Sequence, residues 1–206
     1  MHQTRNGKSQ GKFPTPGSVF LGIDWDNLDI SLRTRFQPGQ VRLEQRLKLL
    51  LAWVTSEVGE LFGGYERNNG QYSQGYGFVF APEHLSTNDY NRKMCVRHNL
   101  RIMTCPKKEK PDAEGSLDSV DQSLISFAES MIINSTVRRL CIVSGDTHYL
   151  PLLRFARKHG ILVAVVAPTV GSFSKHEKTI EEVLRLVDNS PISGRKMFLR
   201  LDTMTL

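Results

Sequence analysis

Short apolar runs alternate with amphipathic stretches along most of the chain. Ser18-Val-Phe-Leu-Gly-Ile-Asp24 is apolar on both faces and ends in acid, the mark of a buried strand. From Gln40 to Val58, apolar residues at Val41, Leu43, Leu47, Leu50, Leu51, Val54 and Val58 recur at helical spacing. Glu60 to Glu66 and Tyr76 to Ala81 read as strands around a polar Gly/Asn/Gln/Ser stretch, or as one strand with an insertion. Thr87 to Asn99 reads as a helix with Ser86 or Thr87 as its N-cap. Leu100 to Cys105 follows as a strand closed by Pro106, then a charged loop and a helix over about Asp118 to Ile133. Arg139 to Ser144 is a buried strand, and Tyr149 to His159 a helix with Gly160 as its C′ residue. Ile161 to Ala167 is a further strand, Lys175 to Val187 an amphipathic helix, and Lys196 to Leu201 is extended. Strands and helices in this alternation predict an α/β fold, a mostly parallel sheet with helices on both faces.

Composition narrows the picture without changing it. The 206 residues are 39% hydrophobic and 23% charged, values of a globular domain. No run approaches 18 apolar residues, so no spanning helix is expected. The first 17 residues are polar and basic and read as a disordered arm without a secretory h-region. The domain proper is expected over 18–170, with 171–206 as a C-terminal helix and tail. Cys95, Cys105 and Cys141 form no CxxC and read as reduced thiols of a cytoplasmic chain.

Charge adds a partner. The net charge is +6, but Arg92 to Lys110 alone holds seven bases (Arg92, Lys93, Arg97, Arg101, Lys107, Lys108, Lys110) against Glu109. The first 17 residues add three bases, so the remainder is net negative. A basic strip beside an acidic body suggests a polyanion held near a carboxylate site. A solvated helix face with a Lys-rich loop explains the same charges.

In an open parallel sheet, ligands bind beyond the carboxyl ends of the strands, where strand order reverses. Two strands end in acid there: Gly22-Ile-Asp24-Trp-Asp26-Asn27 and Val143-Ser-Gly-Asp146-Thr-His148. Asp118 and Asp121 open the helix after the charged loop. Carboxylates gathered at one spot repel, and a hard ion such as Mg²⁺ or Mn²⁺ relieves them. Such an ion supports attack of water on a phosphodiester. Each acid also has a structural explanation, Asp146 and Asp118 or Asp121 as N-caps, Asp26 and Asn27 as turn residues. His148 reads as an exposed first-turn residue, or as a proton shuttle or metal neighbour. Trp25 reads as packing or as a base-stacking surface.

Phe20-Leu-Gly-Ile-Asp24-Trp-Asp26-Asn27-Leu28 resembles the opening strand of the NYN domains, a LabA-like branch of the PIN-like nuclease superfamily. Ser144-Gly-Asp146-Thr-His148-Tyr-Leu-Pro-Leu-Leu is similar to that family's Ser-Gly-Asp-x-Asp-Phe-x-Pro-Leu signature. Arg157-Lys-His-Gly160-Ile-Leu-Val-Ala-Val-Val matches its continuation, and Ser119-Val-Asp121 stands where the family has Gly-Val-Asp. The resemblance covers about Ser18 to Pro168. It implies a three-layer α/β/α sandwich and Mg²⁺- or Mn²⁺-dependent cleavage of RNA. Implied ligands are Asp24, Asp121 and Asp146, with Asn27 orienting Asp24 or a metal-bound water. The chain departs from the family at His148, where the family has a second Asp, and in lacking its Lys before Gly-Val-Asp. His148 joins the implied catalytic set, and Arg92, Lys93, Arg97, Lys107, Lys108 and Lys110 the RNA contacts. A homodimer stays open. The alternatives are a silent RNA-binding or interaction module and, behind it, a haloacid-dehalogenase-type phosphatase using Asp24-x-Asp26.

Overall fold

The structure is a computed structural model that describes residues 18–28, 67–68, 71–72, 76–106, 119–134, 137–167, 177–188 and 198–200. The helix expected at Gln40–Val58, the strand at Glu60–Glu66, Asp118 and the lysines at 107, 108 and 110 lie outside them.

Six strands form the central sheet: β1 (Ser18–Asp24), β4 (Tyr76–Pro82), β5 (Leu100–Cys105), β6 (Val137–Val143), β7 (Leu162–Ala167) and β8 (Phe198–Arg200). A separate two-residue pairing joins β2 (Arg67–Asn68) and β3 (Gln71–Tyr72). The sheet runs β5-β4-β1-β6-β7-β8, and every pairing in it is parallel. The central strands are apolar on both faces because both are covered, whereas β5, at the edge, exposes Arg101 and Thr104.

Among the described residues, besides a helical turn at 25–28, the helices are α1 (Glu83–Ser86), α2 (Asp89–Arg97), α3 (Ser119–Ile133), α4 (Leu150–Lys158) and α5 (Glu177–Asp188). α4 packs against both α3 and α5, making one layer, while α2 packs on β5. Right-handed crossovers put α2 on the opposite face, which completes a three-layer α/β/α sandwich. The stripe that α3 buries is Val120, Asp121, Leu124, Ala128 and Ile132. One carboxylate thus stands in an otherwise apolar face. Phe127 of α3 packs ring on ring with Phe20, Phe78 and Phe80 of the sheet beneath it, the Phe78 and Phe127 centroids 4.9 Å apart.

β6 starts two residues ahead of expectation, at Val137, and the starts of two helices are built differently from expectation. The N-cap of α2 is Asn88, not Ser86 or Thr87, its side chain accepting from the amides of Tyr90 and Asn91. Ser86 and Thr87 instead donate their hydroxyls back to the Glu83 carbonyl, ending the α1 turn. A 3₁₀ turn, Thr147–Tyr149, precedes α4. Gly160 sits at φ +72° just past α4, the left-handed conformation glycine takes without strain.

All three cysteines are buried and outside disulfides. Burial pushes the Cys95 thiol up to about 12, so it stays protonated. Among the described residues, no helix is long and apolar enough to cross a membrane.

Candidate active site at the strand-order reversal

From β1 the chain first adds β4 and β5 on one side, then returns to place β6, β7 and β8 on the other. Strand order therefore reverses between β1 and β6, and their carboxyl ends open one crevice. β1 ends in Asp24, and β6 runs into Ser144-Gly145-Asp146. Parallel pairing in register, Ile23 with Val143, brings the two ends side by side.

Asp24 is 4% exposed and acts as a hub. Its Oδ1 accepts from the Asn27 amide at 3.1 Å, capping a helical turn at 25–28. Its Oδ2 accepts from the Ser144 hydroxyl at 3.0 Å and the Tyr149 hydroxyl at 3.2 Å. Ser144 Oγ in turn accepts from the Asp146 amide at 3.1 Å. The Asn27 side chain accepts from the Gly145 amide at 2.9 Å, pinning the loop after β6 to the end of β1. Tyr149 is fully buried; burial, with the carboxylates of Asp24 and Asp121, pushes its hydroxyl far above the ordinary range. It is a permanent neutral donor.

A second group stands on the open side of this hub. Asp146 caps the following turn, its Oδ1 accepting from the His148 amide at 3.0 Å. The His148 ring turns back: Nδ1 lies 3.0 Å from Asp121 Oδ2 and 3.3 Å from Asp146 Oδ1. Asp121 is 3% exposed, while the side chains of Asp146 and His148 are about a third exposed, at 30% and 32%. The three offer one ligand atom each, all within 4.8 Å of one another. Bonds of about 2.1 Å to a six-coordinate ion put neighbouring ligand atoms roughly 3 Å apart. The two spacings from His148 Nδ1 fall close to that figure, and two carboxylates with one imidazole are a donor set that divalent ions accept.

No family model matches the chain, and no curated protein does. Among solved structures, it is similar to the crystal structure of a protein of unknown function from Vibrio parahaemolyticus. That likeness has a TM-score of 0.55 at 15% identity, over 91% of this chain and 94% of the other. At that identity the likeness speaks for the α/β fold alone.

Of the residues expected at the site, Asp121, Asp146 and His148 come together, and Asp24 and Asn27 lie directly behind them. Asp24 stands outside the group of three, its oxygens turned to Asn27, Ser144 and Tyr149. Asn27 meets Asp24 through its backbone amide, while its side chain serves Gly145. His148 is not the exposed first-turn residue of the bland expectation, because its ring is bonded to Asp121. Trp25 is buried, 2% exposed, so it packs and offers no stacking surface.

Of the basic strip, Arg92, Lys93, Arg97 and Arg101 fall within the described residues. Arg92, Lys93 and Arg97 are all exposed on α2. That helix leaves the carboxyl edge of β4 and ends at the amino edge of β5, so Arg92 and Lys93 lie nearer the crevice and Arg97 at the far end. Ser144 and Tyr149 were the residues that sequence reasoning missed. A tyrosine among buried apolar positions must find its hydroxyl a partner, and that was the available signal.

Proposed function

We propose that the chain is a metal-dependent ribonuclease, an NYN-like member of the PIN-like superfamily. The observation that carries this reading is the meeting of Asp121, Asp146 and His148 at the strand-order reversal, with Asp24 buried behind them. A bound Mg²⁺ or Mn²⁺ would supply charge neutralisation and an acidified water for phosphodiester hydrolysis. The chain's own part is positioning. Asp121 and Asp146 would hold the ion, and Asp24 fixes Ser144 and Tyr149, which in turn fix the backbone of Asp146. Asn27 locks the two strand ends together. Arg92 and Lys93 favour a polyanionic substrate, and three thiols outside disulfides fit the cytoplasm.

The deciding experiment is cleavage of labelled single-stranded RNA with Mg²⁺ or Mn²⁺. Activity in the wild type that is lost in Asp146→Asn supports the reading; activity equal in both, or present in chelator, overturns it. For RNA binding, Arg92→Gln with Lys93→Gln reduces the log–log salt slope by roughly 0.7 per residue, whereas Arg97→Gln leaves it. An unchanged slope in the double variant makes those bases a solvated face.

One observation favours a silent RNA-binding module. With a hydrogen on Nδ1, His148 satisfies both carboxylates without any ion. RNA binding with no cleavage at saturating Mn²⁺ selects that reading. The phosphatase reading asks Asp24 to attack an incoming phosphate, which suits poorly a carboxylate that is buried and hydrogen-bonded through both oxygens. A phosphoryl group trapped on Asp24 reverses that ranking.

A further inference from the structure

Resting on the metal-site reading, we infer that His148 Nδ1 is itself a ligand, and that the site selects Mn²⁺-type first-row ions over Mg²⁺. The resembled family has a carboxylate at this position, so the substitution changes the donor set from oxygen alone to oxygen and nitrogen. Three placements carry the inference. The ring nitrogen lies 3.0 and 3.3 Å from oxygens of Asp121 and Asp146, the separation of neighbouring ligands on one ion. The residue is held there by its backbone, since its amide donates to Asp146 Oδ1 at 3.0 Å. Asp24, the other candidate for a third ligand, has its oxygens turned to Asn27, Ser144 and Tyr149.

Both neighbours of Nδ1 are carboxylate oxygens, which only accept, so Nδ1 carries a hydrogen when no ion is bound. A bound ion would take the place of that hydrogen, leaving Nε2 to carry the ring's hydrogen. Mg²⁺ demands oxygen ligands in near-ideal octahedral array and gains little from imidazole. First-row divalent ions accept imidazole readily.

The test is Mn²⁺ binding to the full chain, followed by electron paramagnetic resonance, with Mg²⁺ as competitor. Wild type is expected to bind Mn²⁺ with a ¹⁴N coupling in the pulsed spectrum, and to release it only to a large excess of Mg²⁺. His148→Ala loses the ¹⁴N coupling and weakens Mn²⁺ by at least about tenfold. His148→Asp binds Mn²⁺ without the ¹⁴N coupling and lets Mg²⁺ compete at lower excess. Bound Mn²⁺ with no ¹⁴N coupling, or a Mn²⁺-to-Mg²⁺ preference unchanged in His148→Asp, overturns this inference and leaves the metal site standing. Failure of wild type to bind Mn²⁺, or binding unaffected by Asp146→Asn, overturns both.

Discussion

Two connections at the carboxyl edge of the sheet are built alike and do different things. After β4 the chain passes through α1 to α2; after β6 it passes through a 3₁₀ turn to α4. Both lead into nine-residue helices, and in both a side-chain oxygen caps the helical segment, Asn88 in one and Asp146 in the other. Around Asn88 the polar bonds reach two, three and six residues along the chain, and the farthest in that connection, from the Thr104 hydroxyl to Ser86, spans 18. Around Asp146 they are long-range: Ser144 and Tyr149 bond Asp24 across 120 and 125 residues, and His148 bonds Asp121 across 27. Local bonds finish a helix end. Bonds between distant segments gather titratable groups where no single element needs them, and that gathering makes the second connection the candidate site.

The sharpest way to break the comparison is Asp146→Asn. Asparagine caps as well as aspartate, so the helix end survives while the charge goes. Removing a carboxylate also relieves repulsion with Asp121. We expect thermal stability to hold or rise, and RNA cleavage to fall on the order of 100-fold or more. A loss of stability matching the loss of activity would reduce Asp146 to a cap like Asn88.

Tyr149→Phe tests the long-range bonds themselves. It keeps the buried ring and removes the hydroxyl that donates to Asp24. Urea unfolding should show a loss of about 1–3 kcal/mol, the range for a buried charged acceptor that loses a partner. No loss would mean that the rest of Asp24's surroundings suffice to hold it.

Asn88→Ala is the matching change at the first connection. It should cost about 1 kcal/mol by chemical denaturation and leave cleavage and Mn²⁺ binding as they were. An effect on either would extend the site to the α2 side.

The smallest effect belongs to the tie between α4 and α5, where Arg154 Nε donates to Glu182 at 2.6 Å on the surface. The Arg154 hydrogen bond leads in holding the Glu182 carboxyl below its usual value of 4.5. A depressed folded value means the pair stabilises at pH above the unfolded value and loses that contribution as pH falls through the folded one. Glu182→Gln should therefore cost roughly 0.2–1 kcal/mol near pH 7 and nothing near pH 2. Equal cost at both would assign the contact to packing.

By itself the sequence determined the strands and the helices that follow them, because burial on both faces and helical spacing are written in the order of residues. Leu100–Cys105 as a strand and Gly160 after α4 were legible in this way. It also marked Asp24, Asp121 and Asp146, since acids at the ends of apolar runs stand out. Which of these acids gather at one spot was not legible, because a cap and a member of such a cluster look alike in a local window. Only the tertiary structure decided that His148 turns toward Asp121, that Trp25 is core, and that Asp24 stands behind the group rather than in it. Each depends on bonds between residues far apart in the chain, and such bonds exist only once strand order has set β1 beside β6.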